Sequence, residues 1–269
     1  NGDIAPFTIA RSDKSTALLF PQFLYGRESE LERLNDWYGA LLKSQQIRCV
    51  VVSGKEGVGK SALVEEFISR ITDAGSAYGL AAAEKVTSAW QQSAIHRVTN
   101  NLLEKSLLLG DEHLSLLRQQ LSTLPDDTLQ PLLTLFPSLQ VILMQAAEPL
   151  TEVAGQFDKK VMELLFCLSE VMHGMMLIFE DAQWLDSISE DLLTDVLRAA
   201  RKGRFGVLLL YREPETSCAS ATPFCTELQK PDSELLQVPL HPLTAEAAKN
   251  LVEDTFWETN FSLEELADR

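Results

Sequence analysis

Cysteine is scarce: the 269 residues include four, Cys49, Cys167, Cys218 and Cys225, with no C-x-x-C pair among them. That spacing argues against a disulfide framework or a zinc site and predicts reduced packing residues. His96, His113, His173 and His241 are scattered in the same way, and none reads as a metal ligand. No apolar run approaches the ~20 residues a membrane helix needs. The N-terminal residues show no charged-then-apolar secretory pattern, so a cytoplasmic protein with no membrane partner is expected. Positive charge is in the minority, 23 Lys and Arg against 39 Asp and Glu, for a formal charge of −16. Such a chain repels a phosphodiester backbone, and no nucleic-acid partner is expected for it. Only Lys159-Lys160 and Arg198 to Arg204 hint at a basic patch, and each reads as a solvated helix face. Internal repeats and low-complexity tracts are absent as well.

Against this background the composition is that of a soluble globular chain, 45% hydrophobic and 23% charged. The length suffices for one large domain, or one and a half ordinary ones. Glycine is thinly spread except in one place, Gly54-Lys55-Glu56-Gly57-Val58-Gly59-Lys60-Ser61. The apolar run Cys49 to Val52 precedes this stretch, and Ala62 to Ile68 follows it with helical periodicity. A buried strand, a glycine-rich turn and an amphipathic helix form the context of a phosphate-binding loop. Gly54, Gly57 and Gly59 let the backbone curl so that the N–H groups of Val58, Gly59, Lys60, Ser61 and Ala62 converge on an anion, helped by the helix's positive end. Lys60 is expected to reach the β- and γ-phosphates and Ser61 to offer its hydroxyl to Mg²⁺.

A second stretch pairs with the first. Met175-Met176-Leu177-Ile178-Phe179 ends in Glu180-Asp181, the pattern of a buried parallel strand that delivers carboxylates to its C-terminal edge, where ligands bind in open α/β sheets. Glu180 is expected to hold Mg²⁺ with Ser61, and Asp181 to orient or deprotonate an attacking water. Ala182 to Asp186 brings a further acid and an aromatic. Gly206 to Tyr211 reads as another buried strand with Arg212 at its C-terminal end, where a cation can contact a γ-phosphate. The alternative for Arg212 is a pairing with Glu213 or another surface acid.

The remaining elements fall around these motifs. Residues 1 to 22 read as a lead-in. Ser29 with Glu32 fits a capping box, and Leu31, Leu34, Tyr38, Leu41 and Leu42 predict a helix to about Gln45. The first strand is expected at 47–53 with its helix to Thr72, and a second strand at 78–83. From about 89 to 174 the chain reads as helical. Leu114, Leu117 and Leu121 form one stripe, and Phe157, Val161, Leu164, Leu165, Leu168 and Met172 another. Pro125, Pro131, Pro137 and Pro149 are expected to break that region. Ser187 with Glu190 suggests a second capping box, for a helix to about Lys202. Residues 213–234 read as loop, 235–238 as a last strand, Ala245 to Phe256 as a helix, and Ser262 with Glu265 as the start of one more.

Taken together, Tyr25-Gly26-Arg27-Glu28, the loop at 54–61, F-E-D-A-Q-W-L-D at 179–186, L-L-L-Y-R-E-P-E at 208–215 and Pro239 to Thr244 resemble the AAA-like ATPase modules of the STAND class. These signal-transduction ATPases with numerous domains occur in multidomain signalling kinases, soluble-type adenylyl cyclases and maltose-activator-like regulators. The similarity runs from about residue 24 to 255, Gln156-Phe157 included. The resemblance implies an α/β P-loop NTPase fold, a five-stranded parallel sheet in the order 5-1-4-3-2 flanked by helices, with a long helical insertion between strands 2 and 3. It implies ATP, ADP and Mg²⁺ as ligands, and partners among the other domains of the same polypeptide and other proteins, with oligomerisation open. Tyr25, Gly26 and Arg27 would lie along the adenine, and Arg212 would sense the γ-phosphate.

On this reading residues 23–240 form the ATPase core with its insertion at 84–174. Residues 241–269 begin a helical lid that is expected to be cut short, with weakened nucleotide affinity. Two departures point to slow turnover. Glu180 precedes Asp181 where the family has Asp first, and a displacement near 1 Å can cost about a hundredfold in rate. No arginine occurs between Glu213 and Asp268, the stretch from which oligomeric AAA+ machines present one to a neighbouring subunit. The function expected is that of a slowly hydrolysing nucleotide switch. The alternative is a non-hydrolysing, nucleotide-bound scaffold or protein-interaction module.

Overall fold

The computed structural model describes residues 24–44, 46–84, 90–147, 157–172, 174–199, 203–212, 224 and 235–255. The lead-in at 1–22, the loop expected at 213–234, the helix expected from Ser262, and Pro149, Gln156, His173, Cys218 and Cys225 lie outside the described residues. The chain divides into two compact units, one of residues 27–242, the other of residues 1–26 with 243–269.

The larger unit is built on a five-stranded sheet of β1 (Arg48–Gly54), β2 (Tyr78–Ala82), β3 (Met175–Glu180), β4 (Phe205–Arg212) and β5 (Leu236–Leu240). Its order is β2-β3-β4-β1-β5 and all four pairings are parallel, which is the expected 5-1-4-3-2 order. The central strands follow from their sequences. Met175 to Phe179 and Phe205 to Tyr211 are buried without interruption, as strands covered on both faces must be. Among the described residues β5 pairs only with β1, and it alternates exposed with buried residues. That edge position explains why Pro239, expected to end the strand, is instead part of it: an outer edge needs no N–H from this residue. The other edge, β2, is covered by α3 (Ala94–Ser106). Asn101 Oδ1 accepts from the N–H of Leu80 at 3.0 Å, closing an otherwise open ladder position. Gly79 allows this close approach, since a Cβ there would come 2.2 Å from the Val98 carbonyl oxygen.

Helices α1 (Glu28–Lys43) and α2 (Lys60–Asp73) flank β1 in sequence. α1 buries Leu31, Leu34, Tyr38 and Leu41 as its periodicity predicts. Trp37 completes the stripe, while Leu42 turns outward. Its start corrects the expected capping box. Arg27 is the N-cap, and Ser29 lies inside the first turn with its hydroxyl donating to Glu30. The insertion between β2 and β3 contains α3, α4 (Asp111–Leu121), α5 (Asp126–Leu135), α6 (Pro137–Leu143) and α7 (Phe157–Val171). Val161, Leu164, Leu165 and Leu168 of α7 are buried against Leu117 and Leu121 of α4 and the α5 leucines in one continuous core. Pro125 and Pro137 stand at helix starts, where a missing N–H costs nothing. Pro131 does not break α5 but sits within it. The carbonyl of Asp127, which an N–H at 131 would otherwise meet, accepts from Lys160 Nζ at 2.5 Å.

Helix α8 (Ser187–Arg198) follows β3. Asp186, not Ser187, is its N-cap, accepting from the Ser189 N–H at 2.9 Å. Cys49 and Cys167 are buried and not joined in a disulfide; the Cys167 thiol donates to the Gln120 carbonyl at 3.4 Å, and burial pushes the Cys49 thiol up to about 12. Among the described residues no helix is long and apolar enough to cross a membrane.

The smaller unit contains α9 (Ala245–Thr255). Within it the Tyr25 hydroxyl donates to the Asp254 carboxylate, and Thr244 Oγ1 accepts from the Ala247 N–H at 3.2 Å, starting the helix. Gly26 has φ +59 and is packed so closely that a Cβ would lie 2.7 Å from that of Ala247.

Candidate functional site

Parallel strands in register end together, and at the C-terminal edge of this sheet the register sets the chemistry side by side. Gly54 of β1 lies opposite both Arg212 of β4 and Leu240 of β5, and Ala82 of β2 lies opposite Glu180 of β3. At Gly54, where the loop begins, the packing leaves no room for a side chain: a Cβ there would meet the Leu240 carbonyl at 2.8 Å and Val58 Cγ1 at 2.9 Å. The loop then reaches Gly59, which caps α2 with φ 97, a left-handed value that favours glycine. That terminus carries no side-chain cap and no acid in its first turn, so its partial positive charge faces outward from an exposed loop. Ser61 and Ala62 open the helix and are exposed.

Lys60 Nζ donates to the carbonyls of Gly54 at 2.9 Å and Lys55 at 2.8 Å, which holds its ammonium over the loop. Ser61 Oγ donates to Glu180 Oε1 at 3.3 Å. A hydroxyl and a carboxylate from residues 119 apart in sequence meet there as two oxygen donors, a set suited to a hard divalent cation that fills its other positions with water and phosphate. Among the described residues no group of three or more His, Cys, Asp or Glu side chains forms a dedicated metal cage. A site of the hydroxyl-plus-carboxylate kind would not take that form.

Asp181 adopts a left-handed backbone, φ 50 and ψ 42, which aspartate tolerates better than most residues. Its Oδ1 accepts from Gln183 Nε2 at 3.2 Å and lies 3.3 Å from one guanidinium nitrogen of Arg212. The other terminal nitrogen of Arg212 lies 3.1 Å from Glu56 Oε1. Gln183 also accepts from the Arg212 N–H at 3.3 Å, tying the end of β4 to the turn after β3.

Arg27 supports the loop from behind. It is 4% exposed, and one guanidinium nitrogen donates to the carbonyls of Val58 at 2.9 Å and His241 at 2.6 Å. The other pairs with Glu30 at 3.2 Å. Burial raises the Glu30 carboxyl, but hydrogen bonds from Ser29 and its own N–H, together with Arg27, outweigh this and hold it below its ordinary value.

Of the residues singled out by sequence, Gly54 through Ala62, Glu180, Asp181 and Arg212 come to one sheet edge, with Arg27 bound to Val58. Tyr25 and Gly26 belong to the smaller unit. Sequence reasoning missed Glu56 and Gln183. In sequence Glu56 stood only as one residue of the glycine loop, and nothing distinguished Gln183 from its neighbours. It also missed the second role of Asp186, whose Oδ2 accepts from the N–H of Ala94 at 2.8 Å, joining the turn after β3 to the start of α3.

A family model described as an AAA ATPase domain matches residues 24–210, which contain the whole of this site except Arg212. The chain belongs to the AAA ATPase domain family. The comparison with curated proteins gave no match. Among solved structures, the chain is similar to Cdc6p from Pyrobaculum aerophilum, with 14% identity, a TM-score of 0.49, and coverage of 91% of this chain and 53% of that one. It is similar to the Aeropyrum pernix ORC1 protein in complex with DNA, with 13% identity, a TM-score of 0.47, and coverage of 89% and 51%. Drosophila ORC bound to DNA gives 12% identity, a TM-score of 0.49, and coverage of 97% and 55%. The chain spans about half the length of each of these.

Proposed function

We propose that this AAA ATPase domain is a Mg²⁺-dependent nucleotide switch that binds ATP, hydrolyses it slowly to ADP and phosphate, and passes the difference to other domains of a larger signalling protein of the STAND class. The observation that carries this reading is the 3.3 Å approach of Ser61 Oγ to Glu180 Oε1 beside an uncapped helix terminus. It brings a phosphate cradle and a cation donor pair to one place. In the proposed roles, backbone amides from Val58 to Ala62 hold the phosphates, Lys60 balances their charge, and Ser61 with Glu180 holds the cation. Bound there, Mg²⁺ would draw charge from the β- and γ-oxygens. Asp181 positions the water for in-line attack, and Arg212 contacts the γ-phosphate. Tyr25, Gly26 and Arg27 line the adenine side. The core at 23–240 and a lid beginning at 241 are part of the same proposal, as are a cytoplasmic setting and protein partners. The charge of −16 supports a segment that does not itself hold nucleic acid.

A second reading has a specific observation in its favour. Asp181 Oδ1 is engaged by both Arg212 and Gln183, which takes that oxygen away from an attacking water. A non-hydrolysing scaffold with bound nucleotide would have this feature. A phosphate-release assay separates the two. The switch predicts slow Mg²⁺-dependent turnover, abolished in Lys60→Ala and strongly reduced in Asp181→Asn. The scaffold predicts nucleotide binding with no phosphate released by any version, and absence of binding in every version would refute both.

A further inference from the structure

Glu56 is an acid at the mouth of an anion cradle. It stands on the loop between Gly54 and Gly57 with its side chain 76% exposed, in a segment whose other features, glycine amides, Lys60 and the positive end of α2, all favour negative ligands. A carboxylate there opposes a polyphosphate unless its charge is answered, and Arg212 answers it at 3.1 Å. The same guanidinium reaches Asp181 at 3.3 Å, so one cation spans the loop after β1 and the turn after β3. Arg212 enters from the end of β4, in register with Gly54, so Glu56 lies two residues along the loop from Arg212's backbone partner.

The geometry points to Glu56 as the residue that sets the preference between nucleoside triphosphate and nucleoside diphosphate. A terminal phosphate that recruits Arg212 must take the guanidinium from Glu56 and accept a bare carboxylate nearby. A diphosphate ends one phosphoryl group earlier and leaves the Glu56–Arg212 pair intact. Glu56 therefore taxes the triphosphate selectively, lowering the ratio of ATP to ADP affinity without changing how either nucleotide meets Lys60 and Ser61. The inference rests on the proposed nucleotide site and on Arg212 as its γ-phosphate contact. An exposed ion pair of this kind sets the size of the effect at about two- to fivefold in affinity.

Calorimetric titration of MgATP and MgADP into the wild type, Glu56→Gln, Glu56→Ala and Arg212→Ala tests it. Both Glu56 variants are expected to raise the ATP to ADP affinity ratio by about two- to fivefold, mainly by strengthening ATP, and Arg212→Ala to lower it below wild type. If Arg212→Ala lowers the ratio while neither Glu56 variant moves it, or if the Glu56 variants shift both nucleotides equally, the role of Glu56 is wrong and the site reading survives. If Arg212→Ala leaves the ratio unchanged, or no version binds nucleotide, the underlying site reading fails and this inference falls with it.

Discussion

Replacing Arg27 with alanine should damage the large unit well beyond the loss of one surface charge. The guanidinium is 4% exposed and holds two backbone carbonyls, Val58 in the phosphate loop and His241 just beyond β5. Hydrogen bonds from a charged donor contribute about 1.5–3 kcal/mol each, so the two together suggest about 3–6 kcal/mol. Burying the guanidinium costs part of that back, and its Nε has no partner among the described residues, which leaves an expected net loss of about 2–4 kcal/mol. For a domain of this size that corresponds to a fall in Tm of roughly 5–15 °C. Glu30, whose side chain is only 16% exposed, would lose its cation, so Arg27→Ala/Glu30→Gln should recover a portion of the loss. Lysine retains the charge but not the fork that reaches two carbonyls and Glu30 together, so Arg27→Lys should fall between alanine and wild type. Urea denaturation followed by tryptophan fluorescence gives the free energies, and nucleotide titration of the folded variants reports on the loop. A loss below about 0.5 kcal/mol for Arg27→Ala, the range of ordinary surface substitutions, would refute the idea that this residue clamps the loop.

Three further outcomes are expected. Asp186→Ala removes two bonds at once, the α8 N-cap bond from the Ser189 N–H and the bond from the first N–H of α3, that of Ala94. At about 1 kcal/mol per bond it should cost roughly 2 kcal/mol by denaturant midpoint, whereas Asp186→Asn should keep most of it; equal losses in both would contradict the role of its carboxylate oxygens. Gly79→Ala places a methyl 2.2 Å from the Val98 carbonyl, so α3 must lift from β2 at a cost of about 1–3 kcal/mol, and an unchanged thermal midpoint would be contrary evidence. Glu190 has its carboxyl raised from the ordinary value, chiefly by burial and then by Asp191 and Asp186. The folded state therefore holds this proton more tightly than the unfolded one, and stability contributed by the group declines as pH rises from the unfolded value through the folded one. Glu190→Gln should gain on wild type at pH 8 relative to pH 4, and an identical offset at both pH values would argue against it.

The sheet was readable because its strands have no choice. Continuous apolar runs such as Met175 to Phe179 can be buried only between two layers, and the glycine loop fixes which strand leads into which helix. The positions of Lys60, Ser61, Glu180 and Arg212 followed from strand ends, since parallel strands in register deliver their last residues to one edge. What was not readable depended on partners distant in sequence. Ser29 and Ser187 looked like caps by local pattern, but Arg27 and Asp186 took those positions because each is held by tertiary bonds, to Val58 and His241 in one case and to Ala94 in the other. Pro131 looked like a helix breaker because Lys160, which occupies the carbonyl it leaves open, comes from another helix. A pairing of Arg212 with a surface acid was one of its two sequence readings, but the identity of its partners, Glu56 and Asp181, was hidden, since no periodicity links three separate loops.

The central claim is that one cation bound with nucleotide is shared by Ser61 and Glu180. Calorimetric titration of ATP with and without Mg²⁺, on wild type and on Ser61→Ala, Glu180→Gln and the double variant, tests it most directly. Mg²⁺ is expected to strengthen binding to the wild type, each single variant to lose most of that gain, and the double variant to lose little more than either single one. A Mg²⁺ dependence that survives in the double variant, or single losses that simply add, would contradict a shared site.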